Sequence, residues 1–189
     1  MRKIIAAMNM SVDGNCDHTA GIADDELHQH YTGLLRSAGA ILYGRITYQL
    51  MESHWPAIVK NPTGNTTTDE FAVAIQEVPK IVFSHTLKNT DPVITGWENT
   101  TLAGSGLEEE VKALRQQAGK DIFVGSPGLI AALTKLNLID EFQLCVHPVI
   151  AGSGLPLFKN ITDRIALKLL RTKTLGSGIV LSYYEPAEK

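Results

Sequence analysis

Two short apolar runs in this 189-residue chain each end in a glycine turn that opens a helix-forming segment. The first is Ala40-Ile41-Leu42-Tyr43, continuing as Gly44-Arg45-Ile46-Thr47, and the second is Ile122-Phe123-Val124, continuing as Gly125-Ser126-Pro127-Gly128. Glycine at a strand end lets backbone come close to a bound group. The helix beyond it points free N–H groups and a partial positive charge at that group. Arg45 can hold a phosphate through its fork of donors, and the Thr47 hydroxyl can add a further bond. One such turn is also what strand-to-helix geometry alone requires, with the arginine simply solvated. Two of them point to a ligand carrying more than one phosphate. Neither is a Walker loop or a Gly-x-Gly-x-x-Gly fingerprint, and proline after Ser126 is an ordinary helix start.

Other polar groups fall where a site could use them. Ser84-His85-Thr86 follow the apolar run Lys80-Ile81-Val82-Phe83, and small hydroxyls at the carboxyl end of a parallel strand often line a ligand crevice. A simple polar turn explains them equally. Asp24, Asp25 and Glu26 open a helical segment, where acids commonly serve the helix dipole but could also donate a proton. No nucleophile elbow is present, since Gly104-Ser105-Gly106 and Gly152-Ser153-Gly154 lack its spacing. His28 and His30 sit two apart on one helix and cannot share a ligand face. Cys16 and Cys145 are too few for a zinc site or a disulfide framework, so no metal is expected.

The elements that must position these residues alternate. Lys3 to Met10 is apolar and predicts a buried central strand, broken by the turn chemistry of Ser11-Val12-Asp13-Gly14-Asn15. Helical spacing runs from Asp24 to Ser37, and Gly39 precedes the strand at 40–43. The helix after Gly44 is expected to stop at Pro56, residues 60–70 to form a polar loop, and Phe71 to Glu77 a brief helix. Strands are predicted at Lys80–Ser84, at Val93-Ile94, at Thr101–Ala103 and at Ile122–Val124. Helices are predicted at Leu107–Ala118, closed by Gly119, and at Leu129–Leu138. Strands then dominate, at Glu141–Ile150, Leu167–Lys173 and Ile179–Tyr184. The pattern predicts an α/β fold: a mostly parallel central sheet, antiparallel strands at its C-terminal edge, and helices on both faces.

Bulk composition narrows the function classes. Hydrophobic residues make up 44 % and charged residues 20 %, which is ordinary globular usage and suits a single domain over residues 1–189. The net charge is −3 and the basic residues form no run, so nucleic acid is not an expected partner. Asn9, Ser11 and Asp13 interrupt the N-terminal apolar stretch before it reaches signal-peptide length, and no later stretch approaches a membrane span. The expectation is a cytoplasmic protein.

With those segments placed, the chain resembles the dihydrofolate reductase-like superfamily, and more closely its riboflavin-pathway reductase branch. The matching residues, in order, are Met10-Ser-Val-Asp-Gly14, Asp25-Glu-Leu-His28, Ile41-Leu-Tyr-Gly-Arg-Ile-Thr-Tyr48 and Lys80-Ile-Val-Phe-Ser84. Ile122-Phe-Val-Gly-Ser126, Leu138-Ile-Asp-Glu-Phe142, Pro148-Val-Ile-Ala-Gly-Ser-Gly154 and Gly178-Ile-Val-Leu-Ser-Tyr183 complete them. The resemblance implies a three-layer fold that binds NADPH. Gly44, Arg45 and Thr47 would hold phosphates, with Ser84, His85 and Thr86 at the adenosine 2′-phosphate. Gly125, Ser126, Gly128 and Leu129 would meet the diphosphate, while Ala7 and the Val12-Asp13-Gly14 turn would border the nicotinamide.

The activity so implied is hydride transfer to a small heterocycle of the pteridine or aminouracil-ribose phosphate type. Asp25, Glu26 and Asp13 are the acids available as catalytic groups. The pattern departs from dihydrofolate reductase in offering no single acid in register on the first helix, and in carrying Gly125-Ser126 where Gly-Gly is expected. Dihydrofolate is therefore not the expected substrate. The alternative is a nucleotide-binding protein of the same fold without catalysis. The long apolar strands of the C-terminal third, together with the resemblance, predict a homodimer.

Overall fold

Ile4, Ala6 and their neighbours carry no groups that need water, and the strand they form is buried on both faces. The computed structural model describes residues 1–19 and 21–187. In chain order the elements are β1 (Ile4–Ser11), α1 (Asp25–Ser37), β2 (Ala40–Gly44), α2 (Arg45–Glu52), α3 (Trp55–Lys60), α4 (Thr66–Glu77) and β3 (Lys80–Phe83). There follow α5 (Pro92–Thr95), β4 (Thr100–Leu102), α6 (Leu107–Gln116), β5 (Ile122–Val124), α7 (Pro127–Lys135), β6 (Glu141–His147), β7 (Leu167–Thr174) and β8 (Val180–Pro186). The strands form one eight-stranded sheet in the order β4-β3-β2-β5-β1-β6-β8-β7. β2, β3 and β4 pair in parallel, as do β1 and β6, whereas β8 runs antiparallel to both β6 and β7. This is the expected α/β architecture with antiparallel strands at the C-terminal edge.

The chain packs as two compact units, each discontinuous in sequence: Met1–Arg2 with Asp25–Ile122, and Lys3–Asp24 with Phe123–Lys189. In the first, α1 packs on α4 and α4 on α3. Its interior holds Leu34, Leu42, Tyr48, Phe71, Ile75 and Trp97. In the second, Ile4, Val124, Ile130, Leu133, Phe142 and Ile179 form the buried set.

Three local expectations are corrected. Pro56 does not merely end the helix after Gly44; it occupies the first turn of α3, where its missing N–H is harmless. The polar stretch at 60–70 is a loop only up to Asn65, whose side chain accepts from Thr68 N at 2.9 Å and starts α4 there. Val93-Ile94 belong to the one-turn helix α5, because Asp91-Pro92 sets a helix start rather than a strand.

Lys80 is wholly buried at the start of β3. Its ammonium donates to the carbonyls of Ile75, Gln76 and Val78 at 2.9, 3.0 and 2.9 Å and lies 4.6 Å from the centre of the Trp97 ring. Those carbonyls close α4, where a cation complements the helix dipole. Burial pushes the amine down to about 8, and the Glu98 carboxylate opposes that shift. Lys80→Met would leave three carbonyls without their donor. The expected loss, read from urea denaturation followed by tryptophan fluorescence, is about 2 kcal/mol. An unchanged midpoint would show that water replaces the ammonium at no cost.

Candidate functional site

Both helices that follow the glycine turns begin without a side-chain cap and without an acidic residue in the first turn. The contrast is with α6, which opens on Glu108, Glu109 and Glu110, and with α1, which opens on Asp25 and Glu26. Acids there satisfy the helix dipole from within the chain. At α2 and α7 no first-turn acid offsets the positive end of the helix dipole. In the first unit, Gly44 is the cap residue of α2 with extended backbone (φ −78°, ψ 156°). Arg45 is exposed, donates to Gln49 at 3.1 Å along its own helix, and can swing outward; Thr47 is half-buried one turn in. Ser84, at the end of β3, accepts from the backbone N–H groups of Thr86 and Leu87 at 3.2 and 3.0 Å. These bonds close the turn, and Ser84 Oγ also lies 3.4 Å from Thr86 Oγ1, where either hydroxyl can donate. His85 and Thr86 are exposed beside it.

In the second unit Ser126 is buried and occupies the N-cap position of α7 with extended backbone (φ −124°, ψ 126°), its side chain making no capping bond. A Cβ added at Gly128 would meet nothing within 4 Å, so space stands open at the first turn of α7, next to the half-buried Leu129. Gly125 is half-buried at the turn between β5 and α7. Ala7 lies buried on β1, and Val12 beyond it is 59 % exposed. Gly14 adopts φ +81°, which only glycine takes without strain, and this closes the turn after β1.

The acids are more constrained than the sequence suggests. Asp13 accepts from Ser11 Oγ at 2.6 Å and Ala151 N at 3.0 Å through one oxygen, and from Asn15 Nδ2 at 3.1 Å and Gly152 N at 2.8 Å through the other. The Ser11 hydroxyl first, then the Ala151 and Gly152 amides, hold its carboxyl well below the usual carboxylate range. It is a clip between two turns and carries no proton to give at neutral pH. Asp25 accepts from Thr67 Oγ1 at 2.5 Å and Asn65 Nδ2 at 3.1 Å, and those bonds lower its pKa in the same order. It ties the start of α1 to the start of α4. Glu26 is exposed on α1.

Sequence reasoning passed over a third polar group, the buried His147 at the end of β6. Its Nδ1 accepts from Ile22 N at 2.9 Å, and its Nε2 lies 3.2 Å from Asn9 Oδ1. Burial lowers its pKa, partly offset by the Asp24 carboxylate. Nothing local marks this histidine; only the parallel register that sets Ser11 opposite His147 does.

The RibD C-terminal domain family matches residues 2–181. The chain belongs to that family. The Bacillus subtilis (strain 168) protein YyaP is 32 % identical over 187 residues, covering 97 % of this chain and 94 % of its own. A pyrimidine reductase-like protein from Corynebacterium diphtheriae superposes with a TM-score of 0.68 at 15 % identity, over all of this chain and 93 % of its own. A Thermotoga maritima diaminohydroxyphosphoribosylaminopyrimidine deaminase/5-amino-6-(5-phosphoribosylamino)uracil reductase superposes with a TM-score of 0.65 at 16 % identity, over 98 % of this chain and 57 % of that longer one. These likenesses show a RibD-type reductase fold. No helix among the described residues is long and apolar enough to cross a membrane.

If Asp13 clips the two turns together, Asp13→Ala raises hydrogen exchange at the Ala151 and Gly152 amides. Its folded pKa is depressed, so the clip is intact at neutral pH, contributes less to stability below the ordinary carboxylate value of about 4, and is lost as pH falls through the lower folded value. The wild-type protein should reproduce the variant's exchange pattern in acid. Equal protection in variant and wild type at neutral pH would show that the turns hold themselves.

Proposed function

We propose that this protein is a cytoplasmic NADPH-dependent reductase of a small heterocycle, of the pteridine or aminouracil-ribose phosphate type. The observation that carries the reading is the pair of uncapped, acid-free helix N-termini behind glycine turns, in a chain of the RibD C-terminal family. Gly44, Arg45 and Thr47 are assigned to phosphate, with Ser84, His85 and Thr86 at the adenosine 2′-phosphate. Gly125, Ser126, Gly128 and Leu129 are assigned to the diphosphate. Ala7 and the Val12-Asp13-Gly14 turn are assigned to the nicotinamide. When bound, NADPH supplies the hydride. The residues present suit the rest of the task, which is to fix the nucleotide, orient the ring and exclude water.

Fluorescence titration tests this directly. NADPH and NADP⁺ should bind in the micromolar range, and no binding of either at hundreds of micromolar would remove the reading. Arg45→Ala should weaken NADPH about tenfold and NADH much less, because the guanidinium can hold two oxygens of the extra phosphate at once. Equal losses would move Arg45 to the diphosphate.

A second reading, nucleotide binding without catalysis, is favoured by one observation. Asp13 and Asp25 are both held ionised by hydrogen bonds and neither can serve as an acid at neutral pH. NADPH oxidation with aminouracil-ribose phosphates, dihydropterins, quinones and nitroaromatics separates the two. Tight nucleotide binding with no turnover across that panel would favour the second.

We also propose a homodimer. All of β7 but its first residue is exposed, Leu169 and Leu170 at 53 % and 43 %, and the strand stands at the end of the sheet order. An uncovered edge of that length is ordinarily paired or blocked. Light scattering should give twice the 20.6 kDa of one chain. A mass near one chain would refute the dimer.

A further inference from the structure

The segment between β1 and α1 is fastened in two stages. Its first half is tied to residues 149–157: Val12 N donates to Val149 O at 2.8 Å, Cys16 N to Leu155 O at 2.9 Å, and Asp13 clips Ala151 and Gly152. In its second half Ile22 N donates to His147 Nδ1 of β6 at 2.9 Å. That bond defines the imidazole. A nitrogen that accepts from an amide carries no proton, so in the neutral ring the proton sits on Nε2, 3.2 Å from Asn9 Oδ1, and is donated there. Asn9 therefore presents its oxygen, and Gly21 packs on the ring, where an added Cβ would lie 3.5 Å from Cε1.

We propose that His147, held as a single neutral tautomer between Ile22 and Asn9, is a positioning residue that latches the segment joining β1 to α1. The functional consequence rests on the nucleotide reading, because Val12, Asp13 and Gly14 at the front of this segment are the residues assigned to the nicotinamide. The latch itself does not. It is a property of one buried ring and two bonds, all within the second unit.

Chemistry gives the latch a direction. Protonating Nδ1 turns the acceptor into a donor facing the Ile22 N–H, and that bond is lost. Among the described residues the ring meets Asn9 of β1, which is neutral, and Gly21 and Ile22 of the segment itself, and the Asp24 carboxylate acts on it as a charge. Burial outweighs Asp24 and lowers the folded pKa below the ordinary histidine value, so the released state takes up the proton first. The latch is intact above about pH 6.5 and loosens as pH falls through and below it.

The test is carried out on the full chain without nucleotide, by amide hydrogen exchange at Ile22 and by nitrogen NMR of the imidazole. At about pH 7.5 the wild-type ring should show an unprotonated Nδ1 and a protonated Nε2. His147→Leu, which can neither accept nor donate, should speed exchange at Ile22 about tenfold. His147→Gln, which keeps an acceptor and a donor but does not titrate, should retain slow exchange at pH 7.5 and also at about pH 5, where the wild type loosens. A proton on Nδ1 at neutral pH would overturn the proposal, and so would wild-type exchange at Ile22 in His147→Leu. Should the leucine variant fail to fold, the wild-type tautomer and the glutamine pH comparison still decide. NADPH titration of the same samples separates the two readings. Absent binding removes the nucleotide reading and leaves the latch standing. With binding present, His147→Leu should raise the Kd for NADPH about tenfold and His147→Gln should restore it.

Discussion

The parallel pairing of β1 with β6 is the constraint on which the chemistry of the second unit depends. Ile5 to Ser11 lie beside Glu141 to His147 without a register shift. That pairing delivers two strand ends, Ser11 and His147, to the same place. From Ser11 the chain turns through Asp13 and Gly14, and from His147 it turns through Val149 to Gly152. Because the strands are parallel, both turns leave the sheet at one end, and Asp13 can reach two amides 138 and 139 residues away. A slip of one residue would put Asn9 and His147 on opposite faces of the sheet and dissolve the arrangement.

What the sheet delivers is then fixed by hydrogen bonds that settle protonation. Asp13 has both oxygens engaged by donors and is held ionised. His147 has one nitrogen held as acceptor and is held neutral. Asp25, in the first unit, is ionised by Thr67 and Asn65. None of these groups is poised to exchange a proton at neutral pH, and their common effect is to hold turns and helix starts in place. Such a scaffold suits chemistry carried by a cofactor better than chemistry carried by side chains. The first turns of α2 and α7 carry no acid and no side-chain capping bond.

Lys80 shows the same economy of polar groups in the first unit. An ammonium enters the interior because three carbonyls at the end of α4 and the face of Trp97 receive it there. Trp97 in turn donates through Nε1 to Gln76 at 2.7 Å, so α4, β3 and the segment leading to β4 share one polar knot. A buried charge of this kind stabilises only while every partner is present.

Much of the architecture was legible from residue order alone, since it rests on local causes. The apolar run at 3–10, the acids that open α1, the glycine turns after β2 and β5, and the alternation of strand and helix all act within a few residues. They placed the strands and helices and located the two glycine turns. Boundaries failed where a local cue had two outcomes: Pro56 can stop a helix or start one, and Asn65 can extend a loop or cap α4. The roles of the titratable residues were decided only by tertiary structure. Asp13 and Asp25 read as available acids until the amides of 151 and 152 and the side chains of 65 and 67 are brought to them. His147 and Ile22 lie 125 residues apart. A hydrogen bond across that separation leaves no periodicity or spacing in the sequence, because it exists only once the β1–β6 register has set its two ends side by side.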